Sequence, residues 1–153
     1  MDDALTVTIE SLLPERLQRL RRLAGLPVAF GGVVRASPAG QSLVLTRLAG
    51  TKGTGLRDLA VSPGLGLGGQ VLSTATPRRV DRYATTTTIT HDYDRIVVQE
   101  EQLTSVVAVP VTARGTVRGV LYAAVRADQP IGDRAVRLAA IVADQLAQDA
   151  EDL

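Results

Sequence analysis

The residues best placed to do chemistry lie between Asp81 and Asp94. His91, Asp92 and Asp94 put an imidazole and two carboxylates within four residues, the donor types of a transition-metal site. The chain has no second histidine, and no spacing marks a distant carboxylate that would complete the set. The same histidine offers haem a single axial ligand and nothing more. A serine hydrolase is disfavoured because no G-x-S-x-G occurs. Cysteine is absent, which excludes disulfides, thiolate metal sites and cysteine nucleophiles. Gly64, Gly66 and Gly69 formally match the dinucleotide pattern G-x-G-x-x-G. Pro63 precedes it, Pro77 ends the following helix after two turns, and Asp81 comes too early to hold a ribose. The Gly50–Gly55 loop lacks the Gly-Lys-Ser/Thr ending of a phosphate loop. Binding is therefore a better expectation than catalysis, and the chain is expected not to be an enzyme. Tyr83, His91 and Tyr93 read as polar-tipped lining of a pocket. In the alternative, His91 and Asp92 cap a helix while the tyrosines fill a core.

Those residues must be held by a scaffold, and its centre is Thr104–Arg126. Two apolar runs, Val106–Val111 and Val117–Val125, flank a short polar piece containing Gly115 and predict an antiparallel hairpin. Both strands are apolar on nearly every residue, so both faces must be covered. Val28–Arg35, with an irregularity expected at Gly31-Gly32, and Ser42–Leu48 predict two further strands, and Leu56–Val61 a short third one. Pro14 reads as the first turn of a helix carrying Leu13, Leu17, Leu20 and Ala24, with Gly25 and Pro27 as its stop. Residues 1–12 read as a frayed terminus. Arg16, Arg19, Arg21 and Arg22 read as a solvated helix face. A short helix is expected over Gly68–Ala75 and a mobile loop over Thr85–Thr88. A further helix is expected to open near His91, capped by Thr90 or Asp92 and carrying Ile96 and Val97. A last helix is expected to be capped by Asp133. Its main stripe is Val136, Ala139, Ala140, Ala143, Leu146, Ala147 and Ala150, with Leu138 and Ile141 on the far side and an acidic end, Asp149–Leu153.

Two long amphipathic helices can cover one sheet face only. The segment Gly64–Gln102, Gly-rich and Thr-rich, must roof the other, and so few large side chains predict a cavity beneath it. The expected ligand-binding residues are Phe30, Asp81, Tyr83, His91, Tyr93, Ile96 and Tyr122. Apolar residues on two sides of the last helix predict a homodimer through the terminal helices.

At 153 residues and a net charge of +1, the chain is expected to form one domain, with no global charge argument for nucleic acid or membrane. No apolar run approaches the ~18 residues of a membrane span. With the cysteine-free composition this points to a cytoplasmic protein with no membrane partner. No ligand or cofactor is named by the residues.

Several pieces, in order, resemble a GAF domain. Gly66–Leu72 followed by Thr76–Asp81 resembles the family's glycine-rich stretch and its P-x-x-V-x-D. Ser105–Val111 resembles its S-h-h-x-V-P-h strand, and Arg118–Leu121 its h-G-V-L strand. Leu26–Gly32, Ile89–Asp94 and Val120–Tyr122 are also similar to the GAF regions of bacterial helix-turn-helix transcriptional regulators. The resemblance implies an α+β fold: a six-stranded antiparallel sheet, terminal helices on one face, and a loop and short-helix roof on the other. It implies a small-molecule-sensing regulatory domain acting through an attached or partner output domain, with DNA reached only indirectly. The alternative is a ligand-free dimerisation module. Bilin-attaching and methionine-sulfoxide-reducing branches need cysteines, and the cyclic-nucleotide signature has no match here.

Overall fold

The computed structural model describes residues 4–153. The hairpin consists of Ser105–Ala113 (β5) and Thr116–Val125 (β6), paired from Ser105↔Val125 to Ala113↔Thr116. Its turn is Arg114-Gly115, both at positive φ (51° and 76°), which matches the right-handed twist of the flanking strands. Val28–Ser37 (β1) pairs with β6 and with Gly40–Ala49 (β2), while Ala60–Val61 (β3) and Arg78–Val80 (β4) close the edges. The sheet is six-stranded and antiparallel, in the order β3-β2-β1-β6-β5-β4.

Alternation sends Val107, Val109, Val111, Leu121, Ala123 and Val125 to one face and Val106, Ala108, Val120, Tyr122 and Ala124 to the other. The first set is buried under Ala4–Ala24 (α1) and Asp133–Glu151 (α3). The second lies beneath Gly66–Thr74 (α2) and a π-helical turn, Arg95–Glu100. Both faces of the hairpin are covered.

Gly31 and Gly32 mark an irregularity, as expected. Gly31 pairs with Arg47 and Gly32 with Leu45, leaving Thr46 as the extra residue of a bulge in β2. The bulge resets the face of β2, so that Leu43, Leu45 and Leu48 all pack on the roof side while Ala49 joins the helix side.

Several local expectations are corrected. The first helix runs from Ala4, with Leu5 and Ile9 extending the buried stripe of Leu13, Leu17 and Leu20. Pro14 is thus interior, not initial, and residues 4–12 are not frayed; residues 1–3 lie outside the described part. Gly25 ends that helix in the left-handed region (φ 67°), its N–H donating to the Arg21 carbonyl. Arg16 is not on a solvated face. It is 7 % exposed, its Nη2 lies 2.6 Å from Asp149 of α3, and its Nε lies 2.9 Å from Glu15 without hydrogen-bond geometry. This pairing accounts for part of the acidic end of α3. Hydrogen bonds from Gln145 and Arg16 hold the Asp149 carboxyl below its ordinary range, and Glu151 accepts the Arg114 N–H at 2.8 Å. Of the expected third strand only Ala60–Val61 pairs, because residues 56–59 turn, with Asp58 at φ 64°. Gly132, not Asp133, flanks the start of α3, and Asp133 pairs instead with Arg79 at 2.6 Å. On α3, Ala135 and Val142 are buried in addition to the expected stripe, whereas Val136 and Ala140 are only half-buried.

Candidate functional site

The roof encloses an apolar chamber. Phe30, Leu45, Val61, Val106 and Tyr122 form its floor on the sheet. Leu56, Leu59, Leu67, Gly68, Tyr83, Tyr93 and Val97 form its sides and top. Its free volume is about 20 Å³, near what one water molecule occupies. Aromatic rings fill most of the rest. Tyr122 stacks on Phe30 with ring centroids 4.5 Å apart and planes 16° from parallel.

The glycine-rich stretch seats these rings. A Cβ on Gly68 would stand 1.5 Å from the Tyr122 hydroxyl oxygen, and one on Gly66 would stand 2.7 Å from the Tyr93 ring. Its backbone donors are also used internally. Gly64 N–H donates to the Gly69 carbonyl, Gly69 N–H to the Leu65 carbonyl, and Gly66 N–H to Thr90 Oγ1 at 2.8 Å. The N–H groups of all three pattern glycines are thus occupied within the chain, so the match is one of spacing alone.

The segment after Tyr83 closes on itself. The Tyr83 N–H donates to the Thr104 carbonyl at 2.8 Å, joining the two ends of the roof loop. At the far end Glu101, 1 % exposed, accepts from the Lys52 and Gly53 N–H groups (2.8 and 2.9 Å) and from Arg126 Nη2 (2.8 Å). Arg126 Nε donates to the Glu101 carbonyl at 2.8 Å, so loop, roof and the residue following β6 meet at one buried carboxylate. The expected helix from His91 is instead the π-helical turn, in which the Glu101 N–H reaches the Ile96 carbonyl five residues back. Neither Thr90 nor Asp92 caps it: Asp94 flanks its start without a side-chain cap, and Thr90 serves α2. The Thr85–Thr88 run is folded into hydrogen-bonded turns on the Arg82 carbonyl.

Of the seven expected ligand-binding residues, Phe30, Tyr83, Tyr93 and Tyr122 meet in the chamber. Asp81, His91 and Ile96 do not line it. Asp81 is exposed at the sheet edge, and only its carbonyl is engaged, by Ser105 Oγ at 2.7 Å. Ile96 is half-buried on the outer side near Gly55. His91 is exposed and forms a clasp, with Nδ1 2.9 and 3.0 Å from the Asp94 oxygens and Nε2 2.7 Å from the Thr86 carbonyl. Beside the backbone of Gly68, the leucines at 45, 56, 59 and 67, with Val61, Val97 and Val106, complete the lining and were not singled out as site residues. Their only signal was the apolar content of the runs that contain them. Among the described residues no group of three or more His, Cys, Asp or Glu could hold a metal ion.

Within the chamber the Tyr93 hydroxyl accepts the Ser62 N–H at 2.9 Å. The hydroxyls of Tyr83 and Tyr122 have no hydrogen-bond partner among the described residues. Burial, the largest cause, pushes both phenols up from their ordinary value, with the carboxylates of Asp94 and Asp92 adding to the effect at Tyr83. Both are neutral donors at physiological pH.

His91 has acceptors at both ring nitrogens, which only an imidazolium satisfies. The hydrogen bond to Thr86, then that to Asp94, raises its pKa above the ordinary 6.5. A raised folded-state value stabilises the clasp fully below about pH 6.5, and the contribution is lost as pH rises through the raised value. The single histidine makes this readable: its ring-proton NMR signal should titrate above 6.5, and Asp94→Asn should move the midpoint back down. A wild-type midpoint at or below 6.5 would refute the clasp.

The molecule thus presents an antiparallel sheet with paired terminal helices on one face and an apolar chamber under a looped roof on the other. The chain matches the GAF domain family over residues 8–149 and belongs to it. It is 32 % identical over 140 residues to the HTH-type transcriptional activator RamA of Corynebacterium glutamicum. The match covers 92 % of this chain and 48 % of that protein, so the chain spans about half the relative's length. Its fold is similar to the GAF domain of a phosphoenolpyruvate-protein phosphotransferase from Coxiella burnetii (TM-score 0.76, 18 % identity, 94 % and 83 % of the two chains). It is also similar to a NreA protein of Staphylococcus aureus mutated in its nitrate binding site (TM-score 0.67, 23 % identity, 81 % and 90 %). No described helix is long and apolar enough to cross a membrane.

Proposed function

We propose that this is a small-molecule-sensing regulatory domain without enzymatic activity, and that ligand entry under the roof is passed through the sheet to α1 and α3. The observation that carries this reading is a chamber whose two unpartnered hydroxyls, of Tyr83 and Tyr122, sit among apolar side chains. Neither hydroxyl is among the fully buried atoms that lack a partner, so each is open to the chamber and would gain a partner from a bound molecule. RamA is a helix-turn-helix activator, which supports transcriptional control through a DNA-binding output domain reached from the terminal helices. Nitrate, which the NreA site binds, is a poor match to a lining with no cationic side chain. The test is hydrogen exchange of the 84–102 segment across a library of small metabolites. Slowed exchange with one of them supports sensing, and unchanged exchange throughout overturns it.

A second reading, a dimerisation module that binds nothing, is favoured by the small free volume and by apolar side chains on the outer helix faces. Ile141 is 60 % exposed and Val7 57 %, with Leu23 also exposed, while Leu138 is half-buried. Dimerisation is compatible with sensing and is tested separately. The wild type is expected to sediment as a two-fold dimer and Ile141→Glu as a monomer. A monomeric wild type would refute assembly through these helices.

A further inference from the structure

Beside the chamber lies an open groove of about 320 Å³, bounded by Arg82–Thr85 on one side and by Val98, Gln102–Thr104 and Asp128 on the other. Tyr83 is the single residue that lines both spaces. We propose that chamber and groove are two compartments of one binding site with the Tyr83 side chain as the door between them. We further propose that the site admits an uncharged, ring-sized molecule bearing one hydrogen-bonding oxygen, of the class of phenols and small aryl alcohols. This inference rests on the sensing reading and specifies its ligand and its route.

The door follows from how Tyr83 is held. Its backbone is pinned by the N–H bond to Thr104, so the residue stays in place while its side chain turns. Its hydroxyl makes no bond that must be broken, and Ala84 and Thr85, the next residues of the groove wall, are small. Rotation of the ring into the groove leaves a space the size of the departing phenol and joins it to the 20 Å³ already free. A chamber this small accepts nothing larger than water without such a movement.

The ligand class follows from the lining. No charged side chain contributes to the chamber, so a carboxylate or ammonium entering it would lose its hydration without a counter-charge. The Tyr122 hydroxyl, fixed under Gly68 and without a partner, donates to an oxygen. Phe30, stacked on Tyr122, offers an aromatic surface to a flat ring.

The probes are 4-fluorophenol and, as its charged counterpart, 4-fluorobenzoate, followed by ¹⁹F NMR with the 153-residue chain. The phenol is expected to bind saturably and at least tenfold more tightly than the benzoate. Tyr122→Phe should weaken it about fivefold or more, and Tyr83→Ala should speed its exchange at least tenfold. Should Tyr83→Ala fail to fold, the unmutated chain carrying 3-fluorotyrosine supplies the readout. It has three tyrosines, and unlabelled phenol should shift the Tyr83 signal towards solvent. Equal binding of the two probes, or no binding of either, overturns the ligand class, while the sensing reading stands or falls on its own exchange screen. Phenol binding with an unmoved Tyr83 signal, or with exchange unaffected by Tyr83→Ala, overturns the door.

Discussion

Gly32→Ala is expected to lose about 4 kcal/mol or more of stability, enough to unfold much of the protein at room temperature. A Cβ at this position would stand 1.9 Å from the Val44 carbonyl oxygen, 2.6 Å from its carbon and 2.7 Å from the Leu45 Cα. All three are backbone atoms of the neighbouring strand, so no rotamer change relieves the clash. β1 lies between β2 and β6, and the opposite side is also close: a Cβ on Gly119 would meet the Gly32 carbonyl oxygen at 2.5 Å. Separating β1 from β2 would break the ladder at the bulge that sets the face of Leu43 and Leu45. Gly132→Ala is the control. Nothing lies within 4 Å of its Cβ position and its φ is −74°, so the cost should be at most about 1 kcal/mol, from the weaker capping residue. Urea denaturation of both variants decides the matter. A Gly32→Ala midpoint within experimental error of wild type would show that the strands are not in this register.

Glu101→Ala is expected to cost about 3–5 kcal/mol. The carboxylate is buried and serves Arg126 and two backbone N–H groups at once. Its removal leaves a guanidinium with only the Gly50 and Glu101 carbonyls and two N–H groups without acceptors. Glu101→Gln keeps the shape but loses the charge-assisted bonds, and should recover less than half of the loss. The amides of Lys52 and Gly53 should exchange faster in both variants while those of the β5–β6 hairpin keep their relative order. Loss of under 1 kcal/mol in Glu101→Ala would mean that the clamp is not closed in solution.

These two positions were unequally legible. Gly31-Gly32 announced itself, because two glycines inside an apolar strand mark a bulge or a close approach. Glu101 carried no signal, since its partners lie 25 to 49 residues away in sequence. α1 shows how a local rule misleads. Pro14 reads as a helix start, yet Leu5 and Ile9 stand eight and four residues before Leu13 and extend the same stripe. A proline on the exposed side of a long, well-packed helix is outweighed by the burial of that stripe.

By itself the sequence determined the sheet's central hairpin, its two covered faces, the glycine irregularity in β1 and the order of elements. These follow from alternation, periodicity and chain breakers within ten or so residues. It also marked Phe30, Tyr83, Tyr93 and Tyr122, because scarce aromatics in a chain this poor in large side chains fill positions where volume is needed. Only the tertiary structure decided that Asp81, His91 and Ile96 face away from the chamber, that Gly66 and Gly68 seat tyrosine rings, and that Tyr83 divides two spaces. The direction of a roof side chain depends on where Ser62, Thr90 and Thr104 arrive from elsewhere in the fold. No spacing along the roof segment encodes those meetings.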